Sequence, residues 1–564
     1  MSGLEEEAMK AVEEKMSKAG LEGNLRIIAC SPQKALAESY LANITNSFAQ
    51  LNFYKYGNVL KENKKNQERL ISDFIHRYFE PAYSLVVNSE EAVSLMHLPT
   101  SGCLAPHINW LHSRSAPPPL NLPKEGIVLG ISNYRGEKQD VRMKVNDRRR
   151  HMYIIGKSGT GKSTLMQNMI IQDVANGDGV CVIDPHGDLV EYVLGHLPKN
   201  RAEDVILFDP ANLERPLGLN MLEFDSAEQK TFVINEMIAI FDKLYDLKAT
   251  GGPMFEQYMR NAMLLLMEDP ASGATLLEVP RVLADESFRA FKLSKCQNPL
   301  VKDFWEKEAQ KAGGEASLAN IVPYITSKLT PFVYSDVMRP IISQSKSSFN
   351  FREAMDSKKI ILLNLTKGKI GEMSSNLLGM VMIGKLLMGA LSRVNVAESE
   401  RQDFFLYIDE FQNFITDTVG IILSEARKYK LDLIIGHQFI AQLVKNNDTK
   451  IRDAVLGNVG TLAAFRLGPE DTEVMAKQFA PVFNERDLLN IPRHNLYLKL
   501  LIDGQNAPAF NIQPLPPTPG DPKLAESIKQ LSSLKYGRPR AEVEAEVLER
   551  IKMTGGSVED FKLA

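Results

Sequence analysis

The run "MYIIGKSGTGKST", Met152 to Thr164, constrains this chain more than any other stretch. Tyr153–Ile155 read as a short buried strand. Apolar residues at Leu165, Met169, Ile170 and Val174 predict a helix over Thr164–Val174. Between them, Gly156, Gly161, Lys162 and Ser163 satisfy G-x-x-x-x-G-K-[ST]. The glycines let consecutive backbone N–H groups point into one concavity at a helix N-terminus, which is an anion site. Lys162 is placed to reach the β- and γ-phosphates of ATP, and the Ser163 hydroxyl to ligate Mg²⁺. Gly156, Ser158, Gly159, Thr160, Gly161, Lys162, Ser163 and Thr164 are therefore the expected nucleotide-binding residues. A loop with this spelling and no ligand is the alternative, and the strand before it and helix after it argue against that.

A loop of this kind needs a sheet to present it. Six further runs read as strands: "GVCVIDPHG", "DVILFDP", "KIILLNL", "FFLYIDEF", "DLIIGHQ" and "TLAAFRL". Most are continuously apolar rather than alternating, the pattern of parallel strands covered on both faces. The expected fold is α/β, a RecA-like core with a mainly parallel sheet. Expected domains are an N-terminal α+β domain over 1–119, core over 120–224, an all-helical insertion over 225–350, core over 351–515 and a helical tail over 516–564. "SAPPPLNLP", Ser115–Pro123, reads as a stiff linker at the first boundary.

Asp409 and Glu410 end the apolar strand of "FFLYIDEFQNF", where doubly wound sheets place ligands. Asp409 is the expected Mg²⁺ ligand, acting through water, and Glu410 the residue that orients or deprotonates the attacking water. Two solvated acids on a surface-ended strand are the alternative. Gln438 ends the strand of "LDLIIGHQ", with Arg427 eleven residues before it. An amide there suits sensing the γ-phosphate, and a guanidinium suits stabilising transition-state charge on a neighbouring subunit's nucleotide. An ordinary surface charge stands as the alternative for Arg427, and a satisfied strand-end amide for Gln438. Arg466 is a second, weaker arginine candidate. Asp184 and His186 in "DPHGDL" face an open choice between lying near the metal and capping the next helix.

Together, "HMYIIGKSGTGKST", "VIDPHGDL", "LYIDEFQNF" and "ARKYKLDLIIGHQ" resemble the HerA–FtsK superfamily of ring ATPases. Within it the chain is most similar to type IV secretion coupling proteins, the conjugative DNA-transfer ATPases. "MRPIISQSKSSFNFREAMDSKKIILLNLTKGKIGE" strengthens that resemblance, which covers about Gly126–Pro514. It implies an ATP-driven hexamer acting on DNA or protein through a central channel. It also implies catalytic roles for Lys162, Glu410, Gln438 and, in trans, Arg427. Coupling proteins usually begin with membrane-spanning helices, and the sequence offers no convincing one. The expected location is cytoplasmic, at the inner membrane face through secretion or conjugation partners.

The 564 residues carry a net charge of −4 and four scattered cysteines. That excludes a uniformly basic, DNA-coating surface and argues against a disulfide framework. "RMKVNDRRRH", Arg142–His151, is a local basic run, read either as a nucleic-acid contact or as a solvated hairpin end. His97, Cys103, His107 and His112 lack a standard zinc spacing and read as ordinary packing. DNA translocation leads the functional reading. A secretion ATPase that never grips nucleic acid and a slow nucleotide-switch module are the alternatives.

Overall fold

The computed structural model describes residues 3–52, 59–63, 67–96, 113–247, 252–309, 318–444 and 448–553. His97, Cys103, His107 and His112 lie outside them. Two compact units divide the chain, Met1–Trp110 and Leu111–Ala564. The first is a small α+β unit. Strand β1 (Gly20–Gly23) pairs antiparallel with β2 (Leu85–Asn88), accompanied by helices Gly3–Met16, Lys34–Ser47, Gln67–His76 and Ser89–Leu95. Asn88 caps the last of these in a reciprocal box with Glu91. The opening helix stops at Met16, and the chain enters β1 at Gly20.

The second unit opens on the hairpin β3 (Ile127–Tyr134) and β4 (Glu137–Met143), turned by Arg135 and Gly136, both at positive φ. The remaining strands are β5 (Met152–Ile155), β6 (Gly179–Asp184), β7 (Val205–Phe208), β8 (Ile360–Asn364), β9 (Phe404–Ile408), β10 (Leu431–His437), β11 (Thr461–Ala464) and β12 (Leu496–Lys499). Short β13 (Leu501–Ile502) and β14 (Gln505–Asn506) form a separate hairpin before β15 (Phe510–Ile512). The main sheet runs β15-β12-β11-β5-β10-β9-β6-β8-β7. From β11 to β7 every pairing is parallel, and β12 and β15 add an antiparallel edge. All six runs read as strands are strands here. The sequence reading missed β12 and β15.

Both edges of the sheet are covered, which removes open templates for aggregation. On one side the Ser532 hydroxyl, on helix Pro522–Tyr536, accepts the Leu207 N–H of β7 at 2.8 Å. On the other, Ile131 of the first hairpin exchanges two hydrogen bonds with Gln513 just past β15. Between β7 and β8 the described residues form helices only, from Ala227–Tyr245 through Leu318–Val333. "SAPPPLNLP" is not a free linker. Ala116, Leu122 and Pro123 are buried, and Arg114 pairs with Asp487. Among the described residues one helix is long and apolar enough to cross a membrane, spanning Glu372–Asn395. It runs through the core instead, with 83% of its most apolar window buried. Its Lys385 amine donates to the Glu223 carbonyl at 2.6 Å.

The basic run Arg142–His151 is divided between exposed pairs and a buried tie. Arg142 pairs with Asp140, Lys144 with Asp503 and Arg149 with Asp403. Arg148 is fully buried. It makes two bonds to Asp173 at 2.5 and 2.7 Å, donates to the Tyr407 hydroxyl at 2.8 Å and lies over the Phe405 ring. Tyr407 in turn donates to Asp173 at 2.5 Å. This triad ties the helix after β5 to the middle of β9. Removing one partner of a buried pair strands the other charge. Arg148→Ala should therefore lower the unfolding free energy by about 3–5 kcal/mol in urea titrations. A loss below about 1 kcal/mol would show that the triad is not a structural tie.

Candidate nucleotide site

The chain leaves β5 at Ile155 and turns through the glycine-rich loop into helix Lys162–Ala175. Gly159 and Gly161 have φ of +71° and +121°, which side chains with a Cβ resist. Gly156 is required for another reason. A Cβ there would stand 2.5 Å from the Phe465 Cβ, because the segment after β11 backs the loop. Lys157 N–H donates to the Arg466 carbonyl at 3.0 Å and fixes that contact. The buried Lys162 amine curls onto the loop, 2.7 Å from the Gly156 carbonyl and 3.3 Å from that of Lys157. Burial lowers its pKa, and the nearby Asp409 and Glu410 oppose that shift.

Asp409 and Glu410 arrive at the same edge from β9. The Ser163 hydroxyl lies 3.3 Å from Asp409 Oδ2, so the two expected metal ligands are neighbours. Burial pushes the Asp409 carboxyl up to about 6, with Glu410 and Asp184 adding repulsion. Among the described residues no three His, Cys, Asp or Glu side chains form a metal cage. A hydroxyl and one carboxylate beside a phosphate cradle fit Mg²⁺, which keeps waters and takes substrate oxygens.

Glu410 has φ of +47°, a left-handed conformation uncommon for a residue with a Cβ. Its Oε1 accepts from the Gln438 amide at 2.8 Å and its Oε2 from the Gln412 amide at 2.6 Å. Gln438 follows β10, which lies between β5 and β9 in the sheet. Strand order thus sets the amide between the loop and the acids. His437 supports it from beneath. It accepts from the Tyr153 hydroxyl at 2.7 Å and donates to Gln442 Oε1, which also takes the Phe439 N–H. Burial drops the His437 pKa to about 4, so the imidazole is neutral. The sequence reading named neither this pair nor Gln412. Their contacts depend on strand register and on the turn after β9, which carry no motif.

Three other candidates separate. Asp184 caps the next helix, its carboxylate accepting from the backbone N–H groups of His186, Leu189 and Val190, while still lying close enough to repel Asp409; the His186 side chain is exposed. Arg466 lies beside the loop, with its Nε bound to the Ile491 carbonyl at 2.8 Å. Arg427 is in the turn Ala426–Tyr429 before β10, exposed and without a salt bridge among the described residues. It is therefore at the opposite edge of the sheet from its own phosphate loop. The seven-residue strand between them spans about 23 Å.

Residues 129–250 match the family model described as "Helicase HerA, central domain". A curated relative, an uncharacterized protein of Mycoplasma pneumoniae, is 29% identical over 87 residues. That match spans 15% of this chain and 58% of the relative. Among solved structures, the bacterial conjugative coupling protein TrwBdeltaN70 is similar with a TM-score of 0.53 at 15% identity. The match covers 71% of this chain and 91% of that one. The plasmid coupling protein TrwB in complex with ADP and Mg²⁺ gives a TM-score of 0.51 at 15% identity, covering 68% of this chain and 89% of that one. The chain thus shares the fold of the TrwB-type coupling proteins, and residues 129–250 carry the HerA central-domain pattern within it.

The raised Asp409 pKa has a measurable consequence. A carboxyl whose folded pKa lies above its unfolded value favours folding while protonated. In metal-free protein its contribution is full below pH about 4 and is lost as pH rises through about 6. Asp409→Asn mimics the protonated form. Its Tm advantage over wild type, measured in metal-free buffer, should grow between pH 5 and pH 7.5. A pH-independent difference would contradict the buried, raised carboxyl.

Proposed function

We propose that this chain is an ATP-hydrolysing motor that assembles as a ring, a hexamer by analogy with coupling proteins, and moves DNA. The observation that carries this reading is the convergence of Lys162, Ser163, Asp409, Glu410 and Gln438 at one sheet edge, with Arg427 exposed at the other. In this reading the loop backbone and Lys162 hold the ATP phosphates. Ser163 and Asp409 would hold Mg²⁺, which when bound would neutralise phosphate charge. Glu410 accepts the proton of the attacking water, and Gln438 fixes the carboxylate and reads the γ-phosphate. Arg427 is too far from its own nucleotide, so it serves the neighbouring subunit. A central channel needs basic residues only where the rings surround the strand, which a net charge of −4 permits. Secretion or conjugation machinery at the membrane face is the partner this reading implies.

The test is ATP hydrolysis with and without single- and double-stranded DNA, at concentrations where the mass shows assembly. DNA should stimulate turnover, with a steep loss of that stimulation as salt rises. Hydrolysis that ignores DNA would shift the reading to a secretion ATPase, and no turnover at all to a nucleotide switch. Lys162→Ala should abolish hydrolysis and weaken nucleotide binding. Glu410→Gln should still bind ATP and lose about 10²–10⁴-fold in kcat. Normal turnover in either variant would overturn the site assignment.

A further inference from the structure

The hydrogen bonds on Glu410 do not end at the nucleotide edge. Gln412 donates its amide N–H to Glu410 Oε2, while its own Oε1 is buried without a hydrogen-bond partner. The carboxylate therefore sets how that amide is turned. Asn413 closes the turn by donating its backbone N–H and its side-chain amide to the Glu410 carbonyl, at 3.0 and 2.9 Å. Phe414 is wedged against the core helix Glu372–Leu391, so tightly that a Cβ at Gly379 would stand 2.3 Å from its ring. Two residues on, Thr416 Oγ1 donates to Glu236 Oε1 at 3.0 Å, and Thr418 Oγ1 donates to Glu236 Oε2. Glu236 belongs to helix Ala227–Tyr245, the first of the helical insertion, and also packs on Gly384. The stretch from Glu410 to Thr418 is thus pinned at one end by the carboxylate, in the middle by Phe414 and by Lys367 donating to Asn413 Oδ1 at 2.9 Å, and at the other end by the insertion.

We infer that Glu236 is a positioning residue for hydrolysis: by holding Thr416 and Thr418 it sets where Gln412 stands, and Gln412 with Gln438 sets the Glu410 carboxylate. This deepens the reading above and rests on its assignment of Glu410. The physical basis is that Glu410, left-handed at the start of the short turn Phe411–Phe414, has its carboxylate oriented by the amides of Gln412 and Gln438. Its orientation is inherited from both flanks, β10 through Gln438 and the insertion through Glu236. A rotation of the first insertion helix would therefore reach the base without touching nucleotide. Such a device gives the part of the molecule outside the sheet a say in the chemical step.

Steady-state kinetics on the full chain test this with Thr418→Val, Thr418→Ser, Gln412→Ala and the double variant Thr418→Val/Gln412→Ala, with Glu410→Gln as reference. Thr418→Val keeps shape and removes the hydroxyl; Thr418→Ser keeps the hydroxyl. Thr418→Val and Gln412→Ala should each lower kcat about tenfold, as loss of a bond to a charged group does. KM for ATP should stay within about twofold, because phosphate binding is untouched. Thr418→Ser should restore kcat. The double variant should be no slower than the slower single one, since both break the same chain of contacts. Wild-type kcat in Thr418→Val, losses that multiply, or a KM that rises with the fall in kcat would each overturn the inference. Should Thr418→Val fail to fold, wild-type kcat in the half-buried Gln412→Ala overturns it alone. A dead Glu410→Gln beside an unaffected Thr418→Val defeats the inference only, whereas an active Glu410→Gln defeats the functional reading with it.

Discussion

The parallel pairing of β10 with β5 on one side and β9 on the other is the constraint on which the site depends. His437 stands opposite Ile155, and Ile435 opposite both Tyr153 and Ile408. With three strands in that register, the phosphate loop, Gln438 and the two acids leave the sheet at one level. Slipping β10 by one residue would turn Gln438 to the other face and bury its neighbour in the site. The register is held by a continuous apolar interior and by the Tyr153–His437 bond, which crosses the β5–β10 boundary. Gly436 contributes by having no side chain. A Cβ there would meet Met166 at 2.6 Å.

The same pairing separates what one copy of the chain can do from what it cannot. Parallel strands send all their C-terminal ends one way, so residues preceding β10 are carried to the far edge. Arg427 is there, exposed, while the near edge holds every other proposed catalytic group. The site offers Lys162 as its buried cation, already close to Asp409 and Glu410. In the proposed reaction a second cation comes from another copy, with Lys157 and Arg466 as the cations beside the loop in the same copy.

The parts legible in the sequence are those whose physics is local or repetitive. Strands buried on both faces write themselves as continuous apolar runs, so "KIILLNL" and "FFLYIDEF" announce β8 and β9. Glycines at required positive φ and the G-x-x-x-x-G-K-[ST] spacing do the same for the turn between β5 and its helix. β15 is hidden because it is a three-residue edge strand, and β12 because Lys499 interrupts its apolar run "NLYLKLLI". Asp184 could not be decided from its motif, since a carboxylate near a helix start suits capping and metal binding equally. Its three backbone partners show the cap, and its repulsion of Asp409 places it beside the expected metal ligand as well. The proline run 115–123 has the composition of a linker, yet burial of Ala116 and Leu122 makes it part of the second unit. In the basic run 142–151, Arg148 and Arg149 needed the distant partners Asp173 and Asp403 to be taken into the fold, while Arg142 and Lys144 keep exposed pairs at the hairpin end.

The central claim is that one copy lacks a piece of its own active site, and mixing two inactive variants measures that most directly. Lys162→Ala subunits have no working phosphate loop but keep Arg427, and Arg427→Ala subunits keep the loop. Each alone should hydrolyse ATP poorly, the arginine variant by about 10³–10⁵-fold while still binding nucleotide. Mixed at concentrations where rings form, intact loops meet intact arginines across boundaries, and activity should partly return. No recovery in verified mixed assemblies, or an Arg427→Ala protein as active as wild type, would contradict the account.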